Sequence, residues 1–117
     1  WEESELVRKN QRFNISWLGN GYYKIMNVGS GKVLDISKSS LQNGASNIQS
    51  NNNNNNNNGL NQQWKLIKTE DNYYKIQNRN SSKVLDIKAS SKDECASSIQ
   101  WEDNGGWNQM WILVEVD

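Results

Sequence analysis

Two aspartates, Asp35 and Asp86, occupy identical Val-Leu-Asp-Ile stretches 51 positions apart. Each precedes an Asn-Gln pair, Asn61-Gln62 after the first and Asn108-Gln109 after the second. A carboxylate accepts hydrogen bonds from hydroxyls more strongly than a neutral oxygen does. A side-chain amide adds a donor and an acceptor. Trp101 offers a flat aromatic face on which an apolar C–H surface can be buried. Carboxylate, amide and ring together suit a ligand with neighbouring hydroxyls on one side and C–H groups on the other. Asp86, Gln100, Trp101, Asn108 and Gln109 form the fuller set, and Asp35, Gln49, Asn61 and Gln62 a poorer one. The plain alternatives are that each aspartate caps a turn or pairs with Lys32 or Lys83, and that the Asn-Gln pairs satisfy turn backbone.

Other chemistries find little support. There is no histidine, which removes Ser-His-Asp and Cys-His arrangements and most zinc sites. A carboxylate pair can hydrolyse a glycoside, but Asp35 and Asp86 fall in equivalent strands of different repeats and are expected to stand well apart. Glu102 and Asp103 read as a solvated loop. No catalytic residue, cofactor or metal is therefore expected. Cys95 is the only cysteine, so no internal disulfide can form. Thirteen basic and thirteen acidic residues cancel, which gives nucleic acid no electrostatic footprint. The basic side chains are scattered, and no apolar run is long enough to insert in a membrane.

These residues must be positioned by a repeat. Gly21–Ser37 matches Asn72–Lys88, with Tyr22/Tyr73, Ile25/Ile76, Leu34/Leu85 and Asp35/Asp86 at one spacing. Ala45–Gln49 matches Ala96–Gln100 at the same offset, whereas Asn61–Trp64 matches Asn108–Trp111 at an offset of 47. The difference falls on the asparagine run 51–58, read as a lengthened loop, since closure entropy grows slowly with length. Asn10-Gln11-Arg12-Phe13 resembles Asn61–Trp64, and Trp1-Glu2-Glu3 resembles Trp101-Glu102-Asp103. On this alignment the chain opens inside its first repeat, and the counterpart of Tyr73–Gln100 would lie before Trp1. The units are residues 1–20, 21–68 and 69–117 of a single domain.

Each unit reads as short β-strands. Tyr-Tyr-Lys-Ile and Val-Leu-Asp-Ile are rich in β-branched and aromatic residues and are bounded by Gly, Ser and Asn. In Val33–Ile36 the side chains alternate, with Leu34 and Ile36 on one face and Asp35 on the other. Ser-Asn-Ile-Gln and Gln-Gln-Trp-Lys-Leu-Ile are expected to form a second hairpin. Hydrophobic residues make up only 34% of the chain, but a chain poor in aliphatics can still build a core if its six Trp and four Tyr help to fill it.

The spacing of these motifs, with Gln-x-Trp at Gln62-Gln63-Trp64 and Gln109-Met110-Trp111, resembles the ricin B-type lectins. The resemblance implies an all-β fold, a β-trefoil of pseudo-threefold symmetry with its first repeat only partly present. It also implies shallow carbohydrate sites and no catalysis, with glycans as partners. Trp64 and Trp111 become shared core, and an Asp, an aromatic and an Asn-Gln pair form each site. Gln100 and Trp101 are adjacent where the family separates them by one residue. Either Gln100 points away and Ile99 takes its place, or a bulge restores it. In the middle repeat Ser50 stands where the ring should be, so that site is expected to be weak. The first repeat keeps Trp1, Asn10 and Gln11 without an aspartate.

Such modules often accompany toxins or glycosidases, so a longer parent and a secreted or cell-surface location are expected. The alternative is a trefoil that binds protein or inhibits an enzyme without holding sugar. An exposed carboxylate beside an exposed ring would favour sugar, and burial of both would favour the alternative. Asn14 and Asn80 lie in Asn-x-Ser sequons, a pattern that chance supplies readily in so Asn- and Ser-rich a chain.

Overall fold

The computed structural model describes residues 12–52, 57–87 and 98–114. Trp1, Asn10, Gln11, Cys95 and the centre of the asparagine run lie outside the described residues. Eight strands follow in chain order: β1 Phe13–Gly19, β2 Tyr22–Asn27, β3 Val33–Ile36, β4 Asn47–Ser50, β5 Trp64–Lys68, β6 Tyr74–Asn78, β7 Val84–Ile87 and β8 Ser98–Trp101. They form one sheet in the order β4-β3-β2-β5-β6-β7-β8, with β1 also paired to β2. Two short 3-10 turns, Asn57–Gln62 and Trp107–Gln109, follow β4 and β8.

The repeat in the sequence is a repeat in the ladder. Asp35 faces Ile48 across the β3–β4 hairpin, and Asp86 faces Ile99 across β7–β8. Phe13 faces Asn27 in the β1–β2 pair just as Trp64 faces Asn78 in the β5–β6 pair. Backbone conformation repeats as well. Gly31 and Ser82, one repeat apart, both have positive φ, at 73° and 64°. Glycine adopts that geometry freely, and serine does so against a steric penalty.

One expected pairing does not form. Residues 47–50 do not make a hairpin with residues 64–68. Instead β4 runs antiparallel to β3 from Val33↔Ser50 to Ile36↔Asn47, and β5 pairs with β6 of the following unit from Trp64↔Asn78 to Lys68↔Tyr74. The β5–β6 connection is short and closed by Thr69 N–H donating to the Tyr73 carbonyl at 2.7 Å. The last repeat pairs in the same way, β8 with β7, without an asparagine run after it, so the pairing belongs to the repeated unit and not to the length of that loop.

Ile25, Leu34, Ile36, Trp64, Ile76 and Leu85 make the buried core, with Ala45, Leu66 and Trp111 packed against it. Trp64 is fully buried, and its indole N–H donates to the Leu34 carbonyl at 3.3 Å. Trp111 repeats the bond to Leu85 at 3.1 Å, although it is only partly buried. Both rings thus fill apolar space and satisfy their single polar atom. Besides the β5–β6 ladder, a second seam between the units includes two backbone bonds: Gly44 N–H donates to the Gln100 carbonyl at 2.8 Å, and Gln100 N–H to the Ala45 carbonyl at 3.0 Å. That contact covers Ile99, which is 8% exposed, while its counterpart Ile48 is 40% exposed.

Candidate functional site

The register of β7 and β8 sets one face of the last repeat. Val84 pairs with Trp101 and Asp86 with Ile99, so these four side chains share a face, opposite to that of Leu85 and Gln100. Asp86 and Trp101 are diagonal neighbours on that face, a separation of about 7–8 Å between backbones. The Asp86 carboxylate is clamped from outside the hairpin. Asn108 Nδ2 donates to one oxygen at 2.8 Å, and Gln109 Nε2 donates to the other at 2.9 Å. Gln109, itself fully buried, also donates to the Glu102 carbonyl and accepts from Asn104 N–H, both at 2.9 Å. One amide therefore ties the loop after β8 to the aspartate on β7. Trp101 lies over Gly44, where an added Cβ would come 3.8 Å from the ring. The next residue is fastened to the same turn by Glu102 N–H donating to Asn43 Oδ1 at 2.8 Å.

Gln100 is not beside Asp86. It is fully buried on the other face, where Nε2 donates to the carbonyls of Ser40 and Gln42 at 2.9 Å each, and Oε1 accepts from the Ser81 hydroxyl at 2.7 Å. Of the two expectations for this residue, the structure gives the one in which it points away and Ile99 faces the aspartate. Its counterpart Gln49 likewise turns from Asp35 and accepts from the Ser30 hydroxyl at 2.6 Å. The adjacency of Gln100 and Trp101 makes this unavoidable, because neighbours in a strand point to opposite faces.

The middle repeat builds the same clamp. Asn61 Nδ2 and Gln62 Nε2 donate to the two Asp35 oxygens at 2.7 and 2.8 Å, and Gln62 reaches the Asn51 carbonyl at 3.0 Å. Two things differ. Ser50 faces Val33 where Trp101 faces Val84, so the ring is missing. The other difference is a lysine that the sequence reading passed over, although Lys24 and Lys75 sit at the repeat spacing. Lys24 is buried and donates to Gln62 Oε1 at 2.8 Å and Asn52 Oδ1 at 2.7 Å. Burial pushes its ammonium below the usual lysine value, and the Asp35 charge partly opposes this. Lys75 instead pairs with Asp103 at 2.8 Å near the surface. That bond holds the Asp103 carboxyl below its ordinary value despite some desolvation. Asp103 thus lies on the expected exposed loop and adds an ion pair there.

Neither site aspartate meets its expected alternative partner, Lys32 or Lys83; each takes amide donors instead. Exposure divides the two groups: Asp86 is 4% exposed and Trp101 37%. An ionised carboxylate has about four lone-pair positions. Two are taken by these amides, so the aspartate retains acceptor capacity while its direction is fixed. Among the described residues no group of three or more His, Cys, Asp or Glu is placed to hold a metal, and no helix is long and apolar enough to cross a membrane.

This combination of a repeated hairpin sheet, an aliphatic core closed by Trp64 and Trp111 and an amide-clamped aspartate defines a class, and comparison with known proteins assigns the chain to it. Residues 9–59 and 60–117 match the family described as ricin-type β-trefoil lectin domain-like, and the chain belongs to that family. The fold is a β-trefoil. It is similar to a designed threefold-symmetric protein, ThreeFoil, at 40% identity and a TM-score of 0.87, covering 93% of this chain and 75% of that one. It also resembles 1,3Gal43A, an exo-β-1,3-galactanase from Clostridium thermocellum, at 37% identity and a TM-score of 0.88 over 97% of this chain. The match spans only 24% of the galactanase. A lectin of Polyporus squamosus shares the fold at 18% identity and a TM-score of 0.76, over 90% of this chain and 36% of that one. No curated protein matches the chain.

Proposed function

We propose that this chain is a non-catalytic carbohydrate-binding module whose principal site lies in the last repeat. Asp86 accepts from sugar hydroxyls, Asn108 and Gln109 orient it, Asn108 adds its own amide, and Trp101 takes the C–H face of the ring. The observation that carries this reading is the shared face of Asp86 and Trp101 on β7–β8, with both carboxylate oxygens already oriented. Family membership supports it, and a neighbour at 37% identity that is part of a galactanase supports galactose-type sugars as the first ligands to try. Asp35, Asn61 and Gln62 form a secondary site without a platform. Gln100 and Gln49 serve the scaffold. The module would target a larger secreted or surface protein, such as a toxin or glycosidase, to glycans.

A shallow site with one stacking ring binds at roughly millimolar Kd, about −4 kcal/mol, and several sites on one particle would raise the avidity. The deep seating of Asp86 favours a second reading, in which the carboxylate is only a structural anchor and the surface contacts protein. Glycan-array and titration calorimetry measurements on the wild type and Trp101→Ala separate the two. Trp101 is partly exposed, so its truncation leaves the fold standing, and sugar binding should fall about three- to tenfold. Binding that is absent in the folded wild type, or indifferent to Trp101→Ala, would exclude the proposed site.

A further inference from the structure

Trp107 is the most exposed of the large apolar side chains described, at 72%. A tryptophan buries more area than any other residue when it packs, so leaving most of it in water forgoes a large gain. The ring is nevertheless held. Its only described ring contact is edge-to-face with Tyr73, at 5.7 Å between centroids and 74° between planes. The backbone before it is equally constrained. Gly105 has a φ of 74°, and a Cβ on Gly106 would fall 2.6 Å from Asn108 Oδ1. The 3-10 turn Trp107–Gln109 therefore starts where the backbone passes close to the Asn108 side chain that holds Asp86.

That turn is the one that delivers the clamp. The residue after Trp107 is Asn108, whose amide donates to Asp86. Consecutive Cα atoms are 3.8 Å apart, so the indole is anchored one residue from the amide that touches the carboxylate. Trp101 lies against Gly44 at the seam with the preceding unit, whereas Trp107 lies against Tyr73, just before β6, whose Lys75 meets Asp103. The two partly free indoles thus rest on different supports, and each is tied through one element to the same aspartate. The middle repeat has neither: Ser50 replaces Trp101, and a half-buried Leu60 replaces Trp107.

Building on the carbohydrate reading above, we infer that the last-repeat site holds two adjoining sugar residues, with Trp101 stacking the first and Trp107 the second. The ligand class is a disaccharide or longer chain rather than a single sugar. Trp107 supplies extended-ligand specificity, and the Tyr73 contact sets its ring before the ligand arrives, which lowers the ordering cost of binding.

The test is calorimetric titration of the wild type, Trp107→Ala, Trp107→Phe and Trp101→Ala with galactose and with β-1,3-galactobiose, alongside thermal melts. The wild type should bind the disaccharide more tightly than galactose. Trp107→Ala should cancel that preference, weakening the disaccharide roughly three- to tenfold while leaving galactose affinity and the melting midpoint unchanged. Trp107→Phe should restore part of the preference, and Trp101→Ala should weaken both sugars. A Trp107→Ala variant that binds both sugars as the wild type does, or loses both equally, overturns the second subsite while leaving the first intact. A folded wild type that binds neither sugar removes the carbohydrate reading and this inference with it.

Discussion

Truncating the two aspartates should destabilise the protein, and Asp35→Ala should cost more than Asp86→Ala. In each repeat the carboxylate accepts one bond from an Asn amide and one from a buried Gln amide, all between 2.7 and 2.9 Å. Hydrogen bonds to a charged group contribute about 1.5–3 kcal/mol each. The full double sum overstates the loss, because Gln109 keeps the Glu102 carbonyl and water can reach the half-buried Asn108. About 3 kcal/mol is therefore expected for Asp86→Ala. At 117 residues this corresponds to a fall in Tm of roughly 12 °C. Asp35 has an added duty, since Lys24 is buried within reach of its field. Its removal leaves an ammonium with no compensating charge from that side, which raises the cost above that of Asp86. Urea denaturation with unchanged m-values would give both numbers. Losses below about 1 kcal/mol, or a larger loss at Asp86 than at Asp35, would refute the claim that these carboxylates anchor the turns they face. The same reasoning makes Asp86→Ala a poor binding probe, since lost affinity would be mixed with lost order.

Two further outcomes follow from the same geometry. Trp64→Ala should cost about 3–5 kcal/mol because the ring is fully buried, whereas Trp107→Ala should stay within about 0.5 kcal/mol, a contrast that thermal melts of the two variants would show. Burial holds Lys24 in the folded protein below the ordinary lysine value of 10.5, so between the two the unfolded chain holds more protons and wild-type stability should climb as pH rises through that window. Lys24→Met should abolish the climb; parallel urea-derived curves for the two proteins would show that the lysine is not responsible.

Much of the fold was legible because the repeat is written in residue types whose physics is local. Tyr-Tyr-Lys-Ile and Val-Leu-Asp-Ile announce strands, the Gly and Asn positions announce turns, and alternation places Leu34 and Leu85 inside. Strand pairing was less legible. Nothing local says whether Asn47–Ser50 pairs backward to β3 or forward to Trp64–Lys68, since either ladder satisfies the same backbone groups. The site was legible as a set of residue types, but the status of each member was not. Gln100 and Gln109 are the same amide in similar polar surroundings of sequence; one faces the Ser40 and Gln42 carbonyls and the other faces Asp86.

By itself, then, the amino-acid order determined the repeat, the strand content, the core positions of Leu34, Leu85 and Trp64 and the recurrence of Asp with Asn-Gln, because periodicity and side-chain chemistry are properties of the chain. That the rest of the core is aliphatic, with most of the described indoles outside it, was not written there. Tertiary structure alone decided that Lys24 turns inward to Gln62 while Lys75 turns outward to Asp103, that Ile99 is covered and Ile48 is not, and that Trp107 is left standing in water. Those outcomes depend on which unit lies against which, and contacts between units far apart in sequence have no signature in either stretch alone.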